Sequence, residues 1–279
     1  MSAVRIAYLG PAGTFTEDAL REAAVGDFEP LRTDTIHDAI LAVEHGEADR
    51  ALVPFENSIE GSVRPALDAL AFDATGVTIV GEYDYPVHVH LIAREEIELG
   101  AVEAVLSHAQ PLAQCARFLR EQLPEVERRS VSSTAAAVRM VSESVRPWAA
   151  LGTRVAADLY DCRILREDVE DEAGNTTRFV WIAPEGTAAE GEGPRKSSLV
   201  FSELGADHPG ALVDALREFS SRGINLTRIE SRPLRRGLGR YMFFVDLEGG
   251  VDEEPIAAAI AQLRSKAESV RVLGSYPVS

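Results

Sequence analysis

Residues 174–183 read GNTTRFVWIA. A turn residue, an amide, two hydroxyls and a guanidinium run into an apolar stretch rich in aromatic and branched side chains. That pattern predicts a buried strand starting at a polar lip. Arg178 at such a lip can hold a carboxylate in a two-pronged hydrogen bond, and a neighbouring threonine hydroxyl can donate to a substrate oxygen. Phe179 can pack an unsaturated ring. A strand that merely begins at a solvated turn has the same local look, so the chemistry depends on what else gathers at that edge.

Three other stretches carry polar groups at strand ends. In GPAGTFTE (10–17), Gly10 and Gly13 permit close backbone approach, while Thr14 and Thr16 stand where a helix begins and its free N–H groups suit an anion. A tight turn with a threonine N-cap is the plainer reading. In VPFENSIEGSV (53–63), Glu56, Asn57, Ser58 and Ser62 cluster around Gly61, as candidate ligands or as helix caps. In SHAQPLAQC (107–115), His108 and Gln110 again lie at a strand end; such a histidine can exchange a proton near neutral pH, though it more often caps or packs. There is no GK[ST] and no GxGxxG, so nucleotide binding is unsupported, and no Ser/His/Asp triad assembles. His88 and His90 alternate along one predicted strand, but a metal there needs further ligands that spacing does not supply, so no metal is expected. Together the motifs describe a cleft binding a small carboxylate.

The elements that must position these groups follow from periodicity. RIAYLG, RALVPF, AVLSH and WAALGT are short apolar strands, each ending in small or polar residues before a helix. Between the first two, Ile36, Ile40 and Val43 share one face of a predicted helix. Alternating strands and helices imply an α/β architecture with parallel sheet, whose ligands bind beyond the carboxyl ends of the strands. Residues 184–196, PEGTAAEGEGPRK, lose all apolar periodicity and read as a linker. After it, the order βαββαβ is that of the ferredoxin-like motif, with a helix carrying proline in its first turn and Gly223 as its C-cap. The chain of 279 residues has a formal net charge of −17, which repels nucleic acid and anionic lipid, so neither is an expected partner. Two cysteines in unrelated contexts, no apolar leader and no stretch of about 20 apolar residues fit a cytoplasmic protein.

GPAGTFTEDA, VPFENSIEGSV and NTTRF, in this order and spacing, resemble the prephenate dehydratase family. The remainder resembles an ACT regulatory domain of the phenylalanine-sensing kind, through GALVDAL at 210–216 and ESRP at 230–233. The resemblance covers nearly the whole chain. It implies a two-lobed, periplasmic-binding-protein-like (type II) catalytic domain over 1–183, with lobe A about 1–79 and 157–183 and lobe B about 80–156, a linker over 184–196 and an ACT domain over 197–279. The implied activity is that of a lyase of phenylalanine biosynthesis, decarboxylating and dehydrating prephenate to phenylpyruvate without metal or organic cofactor. Thr177 would assist departure of the ring hydroxyl, Arg178 would clamp a carboxylate and Phe179 would pack the ring. Gly13, Thr14, Thr16, Glu56, Asn57, Ser58 and Asn175 would line the substrate site. L-phenylalanine would act as allosteric effector, as a feedback inhibitor, at Gly210, Ala211, Leu212, Glu230, Ser231, Arg232 and Pro233, between the ACT domains of a homodimer or homotetramer. One departure is visible: the family's usual SHPQAL stands as SHAQPL at 107–112. Arogenate dehydratase shares these motifs and is the alternative enzyme. A non-catalytic amino-acid sensor is the alternative from another class, against which the intact NTTRF speaks.

Overall fold

The computed structural model describes residues 3–204 and 209–279. The chain opens with β1 (Val4–Leu9), α1 (Phe15–Ala23), β2 (Phe28–Thr33), α2 (Ile36–Glu44), β3 (Arg50–Asn57), a two-residue β4 (Gly61–Ser62), α3 (Arg64–Asp68) and β5 (Val77–Pro86). A second series follows: β6 (His90–Ala93), β7 (Ala104–Ser107), α4 (Ala109–Gln114), α5 (Ala116–Gln122), β8 (Glu127–Ser130), α6 (Thr134–Glu143), β9 (Trp148–Gly152), α7 (Arg154–Leu159) and β10 (Arg163–Arg166). The chain then returns as β11 (Thr176–Pro184). The last part is β12 (Arg195–Ser202), α8 (Ala211–Ser220), β13 (Leu226–Pro233), β14 (Tyr241–Glu248), α9 (Glu254–Lys266) and β15 (Ser269–Pro277), in the expected βαββαβ order.

The strand-to-helix turns are closed by hydroxyls. Thr35, Ser133 and Thr153 each accept the backbone N–H three residues on, at 3.0 Å, satisfying donors that the first helical turn leaves free. Lobe A has the strand order β2-β1-β3-β11-β5, and lobe B has β8-β7-β9-β6-β10. In each, one antiparallel strand, β11 or β6, is inserted between the third and fourth strands of the lobe. The same two-lobed order in both halves is the type II periplasmic-binding-protein-like architecture.

The lobe boundaries differ from those expected. β5 runs on to Pro86 because it pairs with β11 along its length, so residues 80–86 belong to lobe A. α7 and β10 stay in lobe B, where β10 pairs with β6. The chain therefore crosses between lobes at 87–89 and 167–175, and these two segments hold each other: Val87 N–H donates to the Asn175 carbonyl and Val169 N–H to the Val89 carbonyl, both at 2.8 Å. His88 lies in this crossing, not on a strand with His90. Its Nδ1 is 3.2 Å from Asp168 Oδ1 and 3.3 Å from Glu170 Oε1. These supply the further potential metal ligands that spacing did not reveal.

The C-terminal sheet presents two faces. One is covered by α8 and α9 around Phe201, Phe219, Leu247 and Leu263. The other carries Val200, Met242, Phe244 and Tyr276 into the same apolar cluster as Val53, Phe55, Leu67 and Leu70 of lobe A. β15 also meets β5 in parallel at a single step, Gly274 opposite Ile79, so the two parts share one ten-stranded sheet. The connection outside the strands is 185–194, since Pro184 still belongs to β11 and Arg195 already to β12. α8 begins two residues later than Pro209 suggested, at Ala211: Gly210, at φ 97°, is its N-cap.

Candidate active site

Strand alternation decides what NTTRF can do. Successive side chains on a strand point to opposite faces. Thr177 and Phe179 face the space between the lobes, and Arg178 between them faces the other way. That space is a cavity of about 760 Å³, within the size range of small-molecule sites. Lobe A contributes Thr14, Phe15 and Thr16 from the start of α1, Asn57 from the end of β3, and Thr177 and Phe179 from the return strand, with Asn175 just before it. Lobe B contributes His108, Gln110 and Pro111 at the start of α4, and Ser132, Ser133, Thr134 and Arg139 at and within α6.

Asn57 organises the polar corner. Its Oδ1 accepts the backbone N–H groups of Ile59 and Glu60, both at 3.0 Å, which fixes which end of the amide is which. Its Nδ2 therefore points at the return strand, donating to Asn175 Oδ1 at 2.7 Å and to Thr177 Oγ1 at 2.9 Å. Thr177 Oγ1 is thus an acceptor toward the protein, and among the described residues nothing accepts its own proton. Beneath it, Phe179 meets Tyr85 edge-on at 6.2 Å between ring centroids. The Tyr85 hydroxyl donates to Asp18 Oδ2 at 2.8 Å. Burial, with the Asp18 charge beside it, holds the Tyr85 phenol far above its ordinary value, so the shelf under Phe179 stays neutral.

At α1, Thr14 is the N-cap but makes no side-chain capping bond; its hydroxyl donates instead to the Leu9 carbonyl at 3.3 Å. The first-turn N–H groups are consequently open toward the cleft, where the helix dipole favours an anion. Arg139 is the one arginine or lysine among the described residues lining the cavity, and none of those residues forms an ion pair with it.

A family model of prephenate dehydratase matches residues 6–187, and one of the ACT domain matches residues 203–265. The chain belongs to the prephenate dehydratase family. Prephenate dehydratase of Mycolicibacterium smegmatis is 41% identical to it, across 98% of this chain and 90% of that protein. The structure of prephenate dehydratase from Arthrobacter aurescens in complex with L-Phe has a TM-score of 0.90 at 38% identity, covering 98% of this chain and 90% of that one. GqqA, described as a novel type of quorum quenching acylase, has a TM-score of 0.87 at 32% identity, covering 99% and 98%.

Against the prephenate dehydratase motifs, the structure corrects several expected placements. Arg178 is buried on the far face of lobe A, its Nη2 2.5 Å from Asp246 Oδ2, and is not available to a cleft carboxylate. Glu56 faces the same way, 3.5 Å from Arg178, because the β3–β11 ladder has a bulge: Arg178 pairs with Glu56, but Phe179 pairs with Pro54. The extra residue puts both Phe55 and Glu56 on the far side. Ser58 is spent on structure: its N–H donates to the Thr176 carbonyl at 2.9 Å, and its Oγ accepts the Thr176 N–H at 3.0 Å. Gly13 is a contact between lobes; its carbonyl accepts from Thr153 Oγ1 at 3.0 Å, and at φ 82° a Cβ there would stand 3.1 Å from the Ala156 methyl. By contrast Thr14, Thr16, Asn57, Asn175, Thr177 and Phe179 all meet at the cleft.

The SHAQPL change leaves His108 as N-cap of α4, with its Nδ1 accepting the Gln110 N–H at 3.4 Å, and both residues still line the cavity. Sequence reasoning missed Ser133 and Arg139. The signal was present in SSTAAAVRM, which repeats the hydroxyl-then-helix grammar of the other turns. In the ACT part, Gly210, Ala211 and Leu212 start α8, while Glu230, Ser231, Arg232 and Pro233 end β13. No hydrogen bond or ion pair among the described residues joins the two segments within one protomer. The Arg232 guanidinium is engaged elsewhere, gripping Asp68 of α3 at 2.7–3.0 Å.

Proposed function

We propose that the cleft converts prephenate to phenylpyruvate, with Thr177 donating a hydrogen bond to the departing ring oxygen. The observation that carries this is the 2.9 Å bond from Asn57 Nδ2 to Thr177 Oγ1. A hydroxyl that accepts from a fixed amide on one side keeps its proton for the substrate on the other. The bond from the ring to its carboxylate breaks, its electron pair enters the ring, and the opposite C–O bond breaks. Carbon dioxide leaves, and the hydroxyl departs as water with one proton taken up. Aromatisation supplies the driving force, so the protein's task is geometry and a preorganised donor. A threonine hydroxyl is a very weak acid, which favours hydrogen-bond stabilisation over full proton transfer.

The substrate's two carboxylates fit the open N-terminus of α1 and the Arg139 guanidinium across the cleft, and its ring fits against Phe179. Arg139 thus takes the clamp role once expected of Arg178. The acylase description of GqqA invites a second reading in which Thr177 is a nucleophile. Such a nucleophile needs a base to take its proton, whereas its recorded side-chain neighbour is a donor. Incubating the protein with prephenate and following phenylpyruvate, beside arogenate and an acyl-homoserine lactone, tests all three; turnover of arogenate or the lactone in preference to prephenate overturns the reading.

The ACT domain, together with the L-Phe complex of the Arthrobacter aurescens relative at 38% identity, supports L-phenylalanine as effector. We infer feedback inhibition, with the amino acid held between paired ACT domains by the Gly210–Leu212 turn of one and the Glu230–Pro233 strand end of the other, in a homodimer or homotetramer. Differential binding to two global states is what such inhibition requires. Activity with and without L-phenylalanine, read beside sedimentation, checks it. A cytoplasmic location accords with two cysteines that are both free and buried.

A further inference from the structure

Arg178 sits between the two motif residues that face the cleft, yet its one side-chain hydrogen bond among the described residues goes to another domain. That bond runs from Nη2 to Asp246 Oδ2 at 2.5 Å. Asp246 lies on β14 of the ACT domain and is 1% exposed. Its other oxygen accepts from Ser198 Oγ at 2.6 Å, and that hydroxyl in turn meets the Tyr276 hydroxyl at 2.7 Å. Asp246 is therefore held rigidly before it meets Arg178. Glu82 and Glu56 approach Arg178 only to 3.5 Å, and Arg178 and Arg228 lie against the Phe55 ring at 5.1 and 4.9 Å.

The place where this contact lands matters. The β3–β11 ladder slips between Arg178 and Phe179. Where the ladder is irregular, side-chain contacts have the larger share in deciding how the strand is aimed. Arg178 has Thr177 on one side and Phe179 on the other, so a shift of its guanidinium moves both cleft residues. Burial alone would lower the Arg178 pKa, but the charge and hydrogen bond of Asp246, with Tyr276 and Glu82, together raise it, so the guanidinium stays charged. Arg178 Nε is buried without a hydrogen-bond partner, so besides the Asp246 bond the guanidinium has the two looser ion pairs at 3.5 Å and the Phe55 ring.

We propose that Asp246 of the ACT domain is a positioning residue for the catalytic centre, aiming the Thr177–Phe179 segment through Arg178. The ACT domain then completes the active site within its own subunit, besides any effector it binds. β14, which carries Asp246, is hydrogen-bonded along β13, the strand ending in Glu230–Pro233, so a displacement of that strand reaches Arg178 by a short covalent and hydrogen-bonded path.

A second contact between the domains separates positioning from adhesion. Arg232 grips Asp68 with both prongs, but Asp68 belongs to α3 and not to β11. The inference rests on Thr177 being the leaving-group donor, so the experiment has an arm for that. Steady-state turnover of prephenate by the full-length protein is measured for D246N, R178M, the double variant R178M/D246L, D68N and T177A, with melting temperature alongside. The double variant removes both charges of the Arg178–Asp246 pair and leaves Arg228, 3.7 Å from Asp246 in the parent, to Glu56 at 3.9 Å; replacing a buried ion pair by apolar residues is often tolerated, so it reports even if D246N does not fold.

Expected is a kcat loss of about tenfold or more in D246N, R178M and the double variant, with KM within about threefold. The double loses no more than the worse single, as residues acting through one path do. D68N keeps kcat within about twofold. A double variant that turns over within about twofold of the parent overturns the inference, as does a D68N loss equal to that of D246N. If T177A also retains turnover, the donor reading has failed; if T177A is inactive while the double variant is not, only the positioning role has failed.

Discussion

Asn57 Nδ2 lies 2.9 Å from Thr177 Oγ1, across 120 residues of chain. The amide is locked by two backbone N–H groups on its oxygen, so the bond has one direction. Removing the hydroxyl deletes a preorganised donor, and Thr177→Ala should lower kcat by more than about 100-fold with an unchanged circular dichroism spectrum and melting temperature. Asn57→Asp places a carboxylate acceptor where the donor was and captures the threonine proton. It should cost about tenfold or more in kcat. Near-normal turnover in Thr177→Ala sinks the donor role.

Arg139 lines the cleft, and no ion pair among the described residues holds it. Arg139→Met should raise KM for prephenate by about tenfold with a smaller change in kcat, because it removes binding common to ground and transition states. The parent's KM should rise with salt more steeply than the variant's, since exposed charges are screened. Equal salt dependence in both proteins argues for another anion site.

Gly274 lets the two sheets touch. A Cβ there would stand 2.2 Å from the Ile79 carbonyl oxygen and 2.8 Å from the Ile79 Cβ, so backbone would have to move. Gly274→Ala should destabilise by about 1–3 kcal/mol, read as a fall of several degrees in melting temperature. Gly100→Ala, with open space around its Cβ position, is the neutral control. Similar shifts in the two variants contradict the close-contact explanation.

Near the lobe crossing, His90 accepts the Asp168 N–H on its Nδ1 at 3.2 Å. Burial lowers its pKa, with the Arg154 charge adding to the effect and Asp168 partly offsetting it. Between the unfolded value of about 6.5 and the lower folded one, the unfolded chain binds more protons, so stability falls as pH drops through that window. The urea midpoint should decline from pH 7 to about 5.5 more steeply in the parent than in His90→Gln. Parallel declines assign the pH dependence to other groups.

Much of the architecture was legible in the amino-acid string. Strand-then-helix grammar with hydroxyl caps at Thr35 and Thr153, the βαββαβ order after the linker, and the polar strand ends at Thr14, Asn57 and Thr177 all follow from local periodicity and capping, which depend on near neighbours. Period-two alternation already forbids Thr177, Arg178 and Phe179 from sharing one face. Which face would be the cleft, and that a bulge would turn Glu56 away with Arg178, was decided by the packing of two sheets against each other. The partner that claims Arg178 is Asp246, 68 residues onward in a different domain. A buried guanidinium goes to whichever carboxylate desolvates with it, and only the tertiary structure brings that carboxylate within reach.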